Sequence, residues 1–505
     1  MMLNKKLLED NEALSVKMGY TKEFGSLPEK IIQFGEGNFM RAFSDYMIQQ
    51  LNQKGLFNGR IVAVQPIQYG LAKEINAQDG LYTLIIRGID KDIKVDDAVV
   101  VSSISRCLNP YTDWDKCLEC AQNPEIEYVF SNTTEAGIAY NENDKLGDSP
   151  QASFPGKLTN YLYHRYCHFN GARDKGMKIF ACELVERGGD KLKTIVLKLI
   201  DNWNLPADFR KWIEEDNYFL TTLVDRIVSG YPRDEIAQLT ERLGYEDKIM
   251  CTAECFYLWV IEGPKCIKEC IPFVEGGLNV IWTDDVYPYK TRKVRLLNGT
   301  HIATVPIGLL YGLDNVYECI NHEVIGPFME KAMYEEILPS IENIDALILK
   351  EFADSVIQRY KNPYINHKLL AISLNSVSKF KERIIPSLIG YKKRFGTIPQ
   401  KLAFSFAALL AFYKGSEIKN NKLVIDREKG VCEIIDEVDI LKYFLNIWKS
   451  YDNSNESIDY IVKQVFENKR LWDMDLFEIN GLYDIVCKDL KNIIDAGIKQ
   501  AILKF

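Results

Sequence analysis

Lys30-Ile-Ile-Gln-Phe34 runs straight into Gly35-Glu-Gly37-Asn-Phe-Met-Arg41-Ala42, and this stretch decides the fold class. An apolar strand, two glycines one residue apart and an amphipathic helix make the context of a dinucleotide-binding turn. The first glycine permits the tight turn. The second lets the backbone approach a pyrophosphate, whose charge faces the amides of the helix start. Met40 stands where a third glycine is usual, and Ala42 is the nearest small residue. By itself the pattern also describes an ordinary strand-to-helix connection, and its place after the first good strand favours the cofactor.

Working outward, further β-branched runs follow at residues 60–65, 81–87, 98–105, 128–131 and 177–181, separated by helical stretches. This alternation predicts an α/β Rossmann-type dinucleotide-binding domain around a largely parallel sheet, residues 1–285. The β-rich pattern then fades. Residues 305–313, 335–348, 401–413 and 438–447 have helical apolar spacing, which predicts an all-helical substrate-binding domain over residues 286–505. Two domains also suit a chain of 505 residues, which is too long for one core. An NAD site normally has an acid after the second strand to meet the ribose. Here residues 60–65 lead into Pro66-Ile-Gln68, with Gln68 in the acid's register. NAD is the expected cofactor, with NADP left open.

The charge balance, 62 basic against 71 acidic residues, gives −9. It lacks the basic footprint of a nucleic-acid binder, and an anionic substrate would need a local cationic site. No apolar leader follows the first methionines, and the apolar run at 402–413 is too short to cross a bilayer. A cytoplasmic protein with no membrane partner is expected. The 12 cysteines are scattered, so reduced thiols are expected. The Cys117/Cys120, Cys251/Cys255 and Cys266/Cys270 spacings suit helices as well as zinc ligands, and no metal is expected.

The chemistry lies in Tyr287-Pro-Tyr-Lys-Thr-Arg-Lys293-Val-Arg-Leu-Leu-Asn298-Gly-Thr-His301. Hydride transfer to a ketone needs a proton donor and further donors for the developing negative charge. A lysine serves as that donor when burial or neighbouring cations lower its pKa, and Arg292 and Arg295 flank Lys293. In an α-helix Asn298 and His301 would lie roughly 140° and 80° around the axis from Lys293. Spacing alone fits a catalytic face and a charged turn with a core histidine equally well.

The Lys293-x4-Asn298-x2-His301 pattern resembles the polyol-specific long-chain dehydrogenases, the mannitol dehydrogenase family. The resemblance covers most of the chain: GEGNFMRAF (35–43), QDGLYTL (78–84), SNTTEAGI (131–138), LVDRIVSGYP (223–232), GLNVIWTDDVYPYKTRKVRLLNGTH (277–301), RYKNPYINH (359–367) and SVSKF (376–380). QFGEGNF and CELVERGGDKL (182–192) are most similar to a uronate-reducing branch. The resemblance implies a nicotinamide cofactor held by Phe34, Gly35, Gly37, Asn38, Phe39, Arg41, Gln65, Asn132 and Thr133. It implies a metal-free site in a cleft between the domains, with Lys293 as general acid/base and Asn298 and His301 bonding the reacting oxygen. Asp225 and Arg226, in the VDR element, lie near that site or form a structural pair. Leu184 and Gly188 replace asparagines that other members carry, which leaves the second oxyanion donor unassigned.

A sugar-acid substrate brings a carboxylate that needs a cationic partner. Arg359, His367 and Lys379 are the candidates, Lys379 first. Fructuronate or mannitol as substrate, and a nucleotide-binding protein without catalysis, are the competing readings.

Overall fold

The computed structural model describes residues 1–90, 93–268, 270–427 and 429–505. The chain divides into two compact units, Met1–Val286 and Tyr287–Phe505. In the first, the main sheet comprises β1 (Glu29–Phe34), β2 (Arg60–Val64), β3 (Ile104–Leu108), β4 (Tyr128–Ser131), β5 (Lys178–Ala181), β6 (Tyr218–Asp225), β7 (Leu258–Glu262) and β8 (Val280–Thr283). Their spatial order is β8-β7-β6-β5-β4-β1-β2-β3. Strands β1 to β6 are parallel, while β7 joins β6 antiparallel and β8 runs parallel to β7. The 3-2-1-4-5-6 order of the first six is the Rossmann arrangement, and it reverses between β1 and β4.

Helices cover both faces, so β1 reads as a nearly continuous apolar run. Ile32 and Phe34 pack with Val62, Val129 and Ile179 beneath the helices Phe154–His168 and Gly188–Asn202. Ile31 faces the other way, with Phe130, Phe180, Trp259 and the residues Met47, Ile48 and Leu51 of the helix Ser44–Gln53. Gln33 points to that same side and is fully buried against Ser44 and Asp45.

Two of the expected strands belong elsewhere. Tyr82–Asp90 and Ile93–Val101 pair antiparallel in a separate four-stranded sheet with Cys251–Ala253 and Val228–Gly230. The run at 98–105 is really the end of one strand and the start of another. Its break falls at Ser102 and Ser103, where buried side chains take over the hydrogen bonding. Ser102 donates from its N–H and Oγ to Gln49 Oε1 (3.0 and 3.1 Å), and Ser103 Oγ donates to the Asp45 carbonyl. The chain thereby leaves one sheet and enters the other at Ile104.

The second unit is helical, as the sequence predicts, with a three-stranded antiparallel sheet (Glu417–Lys419, Lys422–Arg427, Gly430–Ile434) that the apolar spacing did not signal. The helix Gln400–Phe412 is buried on every side from Leu402 onward, which explains its unbroken apolar sequence. The expected 335–348 helix is interrupted instead. A π-helical segment Ala332–Ile337 passes into a short 3-10 turn containing Pro339, and a new helix starts at Ala346 with Asp345 accepting from the Leu347 and Ile348 N–H groups. Among the described residues, no helix is long and apolar enough to cross a membrane.

Candidate active site

The residues expected to hold the cofactor gather at the carboxyl ends of β1, β2 and β4, where the strand order reverses. Gly35 has φ +122°, and a Cβ there would stand 2.6 Å from the Asn132 carbonyl oxygen. Both the backbone conformation and this close approach of the β1 and β4 ends therefore require glycine. A Cβ on Gly37 would meet nothing within 4 Å. The second glycine thus leaves open space that no protein atom fills, as a turn that admits a ligand backbone contact should. Asn132 Nδ2 donates to the Cys182 carbonyl (2.7 Å), and Thr133 donates from its N–H and Oγ1 to Glu183 Oε1 (both 3.1 Å). Ser131 Oγ adds a bond to Glu183 Oε2. Glu183 is buried and was not singled out from the sequence. Its signal there is an acid directly after an apolar strand, within the CELVERGGDKL stretch. Burial pushes its carboxyl above the usual range.

Several of the expected contacts serve the turn's own architecture. The helix after the glycines is two pieces, Asn38–Arg41 and Ser44–Gln53, because Phe43 has φ −124° and ψ −89°. Such a break frees backbone carbonyls. The Arg41 carbonyl accepts from Tyr82 OH at 2.7 Å, and the Ala42 carbonyl accepts from Arg226 Nη1. Arg41 itself is almost wholly buried, and its Nε, Nη1 and Nη2 donate to Glu36 O, Ile249 O and Asn38 Oδ1. Arg41 and the Asn38 side chain therefore shape the turn from within. The Phe34 ring is core, 5.2 Å from that of Phe154, and Phe39 stacks on Phe43. Gln65 organises the following loop through the carbonyls of Ile67 and Gln68 and the Ala72 N–H. Asp225, buried, ends β6 on the same edge of the sheet, and Arg226 bonds the Glu254 carbonyl between the rings of Tyr46 and Tyr257. Leu184 is exposed.

In the second unit the lysine segment departs from the expected α-helix. Lys293–Gly299 is π-helical, and an α-helix Thr300–Tyr311 continues from it. Bonding from i to i+5 sets residues five apart nearly one turn above each other. Lys293 and Asn298 therefore share a side, where an α-helix would separate them widely. His301 follows three residues later on that same side of the α-helix. The flanking arginines do not face solvent. Arg295 is buried, donating to Ser387 Oγ (2.6 Å) and Ser340 Oγ (2.8 Å), and Arg292 lies over the Phe352 ring at 4.4 Å.

His301 is buried, with its ring 4.5 Å from Tyr360 and 5.1 Å from His367. Its Nε2 has no hydrogen-bond partner among the described residues. A buried unsatisfied ring nitrogen costs free energy unless a ligand group completes it. Burial first, then the charges of His367, Arg359 and Arg383, hold its pKa well below the usual imidazole value. Tyr360 OH donates to the Leu297 carbonyl inside the π segment, tying the two helices together. His367 and Lys379 are also held low, by burial and then by Lys379 and Arg383 respectively. The structure thus gathers His301 and His367, whose rings are held toward the neutral form, with the cationic Arg359 and Lys379, and adds Arg383. That residue was missed, although it lies one helical turn beyond Lys379 in Ser376–Arg383. Among the described residues, no three His, Cys, Asp or Glu side chains are grouped so as to hold a metal ion.

Residues 29–273 match the mannitol dehydrogenase Rossmann domain and residues 285–494 the mannitol dehydrogenase C-terminal domain, so the chain belongs to the mannitol dehydrogenase family. Among its relatives are the altronate oxidoreductases of Escherichia coli O7:K1 and Shigella flexneri. Each is 44% identical over 476 residues, covering 94% of this chain and 96% of its own. The fold is shared with the Pseudomonas fluorescens mannitol 2-dehydrogenase, solved as a ternary complex with NAD and D-mannitol (TM-score 0.69, 21% identity, 99% of each chain). It is also shared with a substrate-free D-sorbitol dehydrogenase (TM-score 0.79, 22% identity, 99% of this chain and 100% of that one).

Proposed function

We propose that this chain is an NAD-dependent, zinc-independent oxidoreductase that interconverts D-tagaturonate and D-altronate in hexuronate catabolism. The observation that carries this reading is the buried His301, with its unpartnered Nε2, on the helix that continues from the Lys293–Gly299 segment, in a chain 44% identical to altronate oxidoreductases. NAD suits the first unit, because the open space at Gly37 and the strand ends on either side of the order reversal are what a dinucleotide needs.

NADH, when bound, supplies the hydride that turns the keto group into an alcohol. The chain's own residues handle everything else. Lys293 donates the proton to the reacting oxygen and takes it back in the oxidative direction. Asn298 donates a side-chain hydrogen bond to the same oxygen. His301, kept neutral by burial, offers one ring N–H as a further donor without adding charge. Arg359, His367 and Lys379 bind the substrate carboxylate, which a neutral polyol lacks, and Asp225 bonds substrate hydroxyls.

Parallel assays of NADH oxidation with D-tagaturonate, D-fructuronate and D-fructose test this. Tagaturonate should give the highest kcat/KM, and a preference for either other ketone replaces the assignment. Lys293→Ala should lower kcat by about 10²–10⁴-fold while NADH binding persists. An active alanine variant refutes the role given to Lys293. If no candidate ketone is reduced, the nucleotide-binding reading takes over.

A further inference from the structure

The end of β2 lacks the acid that usually meets the adenosine ribose, since Val64 is followed by Gln65, Pro66, Ile67 and Gln68. A carboxylate reaches this place from another direction. Glu36, between the two glycines of the turn, is buried at 6% exposure, and its Oε1 accepts from the Leu71 N–H at 3.1 Å. Leu71 closes the loop that leaves β2. The same oxygen lies 2.3 Å from where a Cβ on Gly70 would stand, and Gln65 Cδ lies 2.6 Å from that point. The carboxylate therefore occupies the space a side chain on Gly70 would take, against the first residue after β2.

Beside this arrangement is a cavity of about 370 Å³ at the carboxyl ends of β2 and β3, lined by Gln65, Gln68, Tyr69, Gly70, Cys107 and Asn109 among others. Tyr69 and Ile67 are exposed at 83% and 61%. No ion pair neutralises Glu36 among the described residues. The nearby Arg41 guanidinium is committed to carbonyls and to Asn38.

We propose that Glu36, carried by the glycine turn and packed on the loop after β2, is the acid that selects NAD(H) over NADP(H). The inference rests on the nicotinamide reading given above. A carboxylate in this position accepts hydrogen bonds from ribose hydroxyls. A 2′-phosphate would instead bring negative charge against a desolvated anion, where like charges repel far more strongly than in water. The selecting acid is thus displaced in sequence by about thirty residues from its usual place and returned to the same region by the fold.

The test is direct binding of NADH and of NADPH to the full chain, followed by nicotinamide fluorescence and so independent of turnover. The wild-type chain should prefer NADH. Glu36→Gln keeps the shape and the acceptor for Leu71 N–H but removes the charge, and it should shift the NADPH/NADH affinity ratio by at least about tenfold toward NADPH. Adding Gln68→Asp to that variant should restore the preference for NADH. An unchanged ratio in a Glu36→Gln protein that melts like wild type overturns the proposal. So does a wild-type chain that binds both cofactors equally. Binding of neither would refute the nicotinamide reading itself, and the proposal with it.

Discussion

His301 illustrates what single residues contribute here. Its ring is enclosed by Tyr360 and His367, and its Nε2, unpartnered among the described residues, is available to the substrate oxygen in the proposed mechanism. The cations around it point to an anionic substrate. Lys379 Nζ donates to the Ile372 carbonyl at 2.9 Å, which uses one of its three N–H donors. Lys379→Met should accordingly raise KM for tagaturonate by about 10- to 100-fold, the range of a lost charged hydrogen bond, with kcat less affected. The KM for a neutral ketose should hardly move. Equal effects on both substrates, or no effect on tagaturonate, would remove Lys379 from the carboxylate site and leave Arg383 and Arg359 as the alternatives. The tenfold or greater NADPH shift on Glu36→Gln belongs to this scale too, since it isolates one charge.

At the scale of elements, the π-helical turn matters most. A sequence reading in α-helical steps puts Lys293 and Asn298 roughly 140° apart on one broad face, and a single turn of i to i+5 bonding draws them closer together around the axis. Packing and local hydrogen bonds favour that turn, and apolar periodicity does not register it. The contact between β1 and the helix Ser44–Gln53 gives a second consequence. Burial lifts the Asp45 carboxyl from 3.8 to about 6, against the bonds it accepts from Ser44 Oγ and Gln33 Nε2. A carboxyl raised on folding is protonated more readily in the folded than in the unfolded chain. Its contribution to stability is therefore full below pH 4 and lost as pH rises through 6. The cost of ionising it above that range is about 3 kcal/mol. Thermal melts from pH 4 to 8 should show Asp45→Asn free of this component and more stable than wild type at pH 8. A variant with the same pH slope as wild type would contradict the assignment to Asp45.

At the scale of the molecule, the residues divide by unit. Those assigned to the cofactor lie in Met1–Val286, and the proton-handling and carboxylate groups lie in Tyr287–Phe505, with Asp225 the exception. The proton transfer proposed for Lys293 would need no Lewis acid. Exhaustive chelation should therefore leave both kcat and the melting temperature unchanged, and loss of activity that zinc restores would contradict the zinc-independent reading.

Much of this was legible in the chain itself. The glycine turn after a strand, the alternation of strands and helices, and the Lys293, Asn298 and His301 spacing are local patterns. Local backbone preferences and the periods of strand and helix produce them directly. Other features were decided only by tertiary structure. The break at which the chain leaves Ile93–Val101 of the second sheet and enters the main sheet at Ile104 falls on buried serines that meet Gln49 and Asp45 of a helix far off in sequence. Arg41, which the resemblance places among the cofactor-holding residues, also braces the turn, because Ile249 lies beside it only in the folded chain. The acid absent from the end of β2 is present in space as Glu36. Sequence position records neighbours along the chain, whereas charge and sterics act between neighbours in space, and only folding brings the two together.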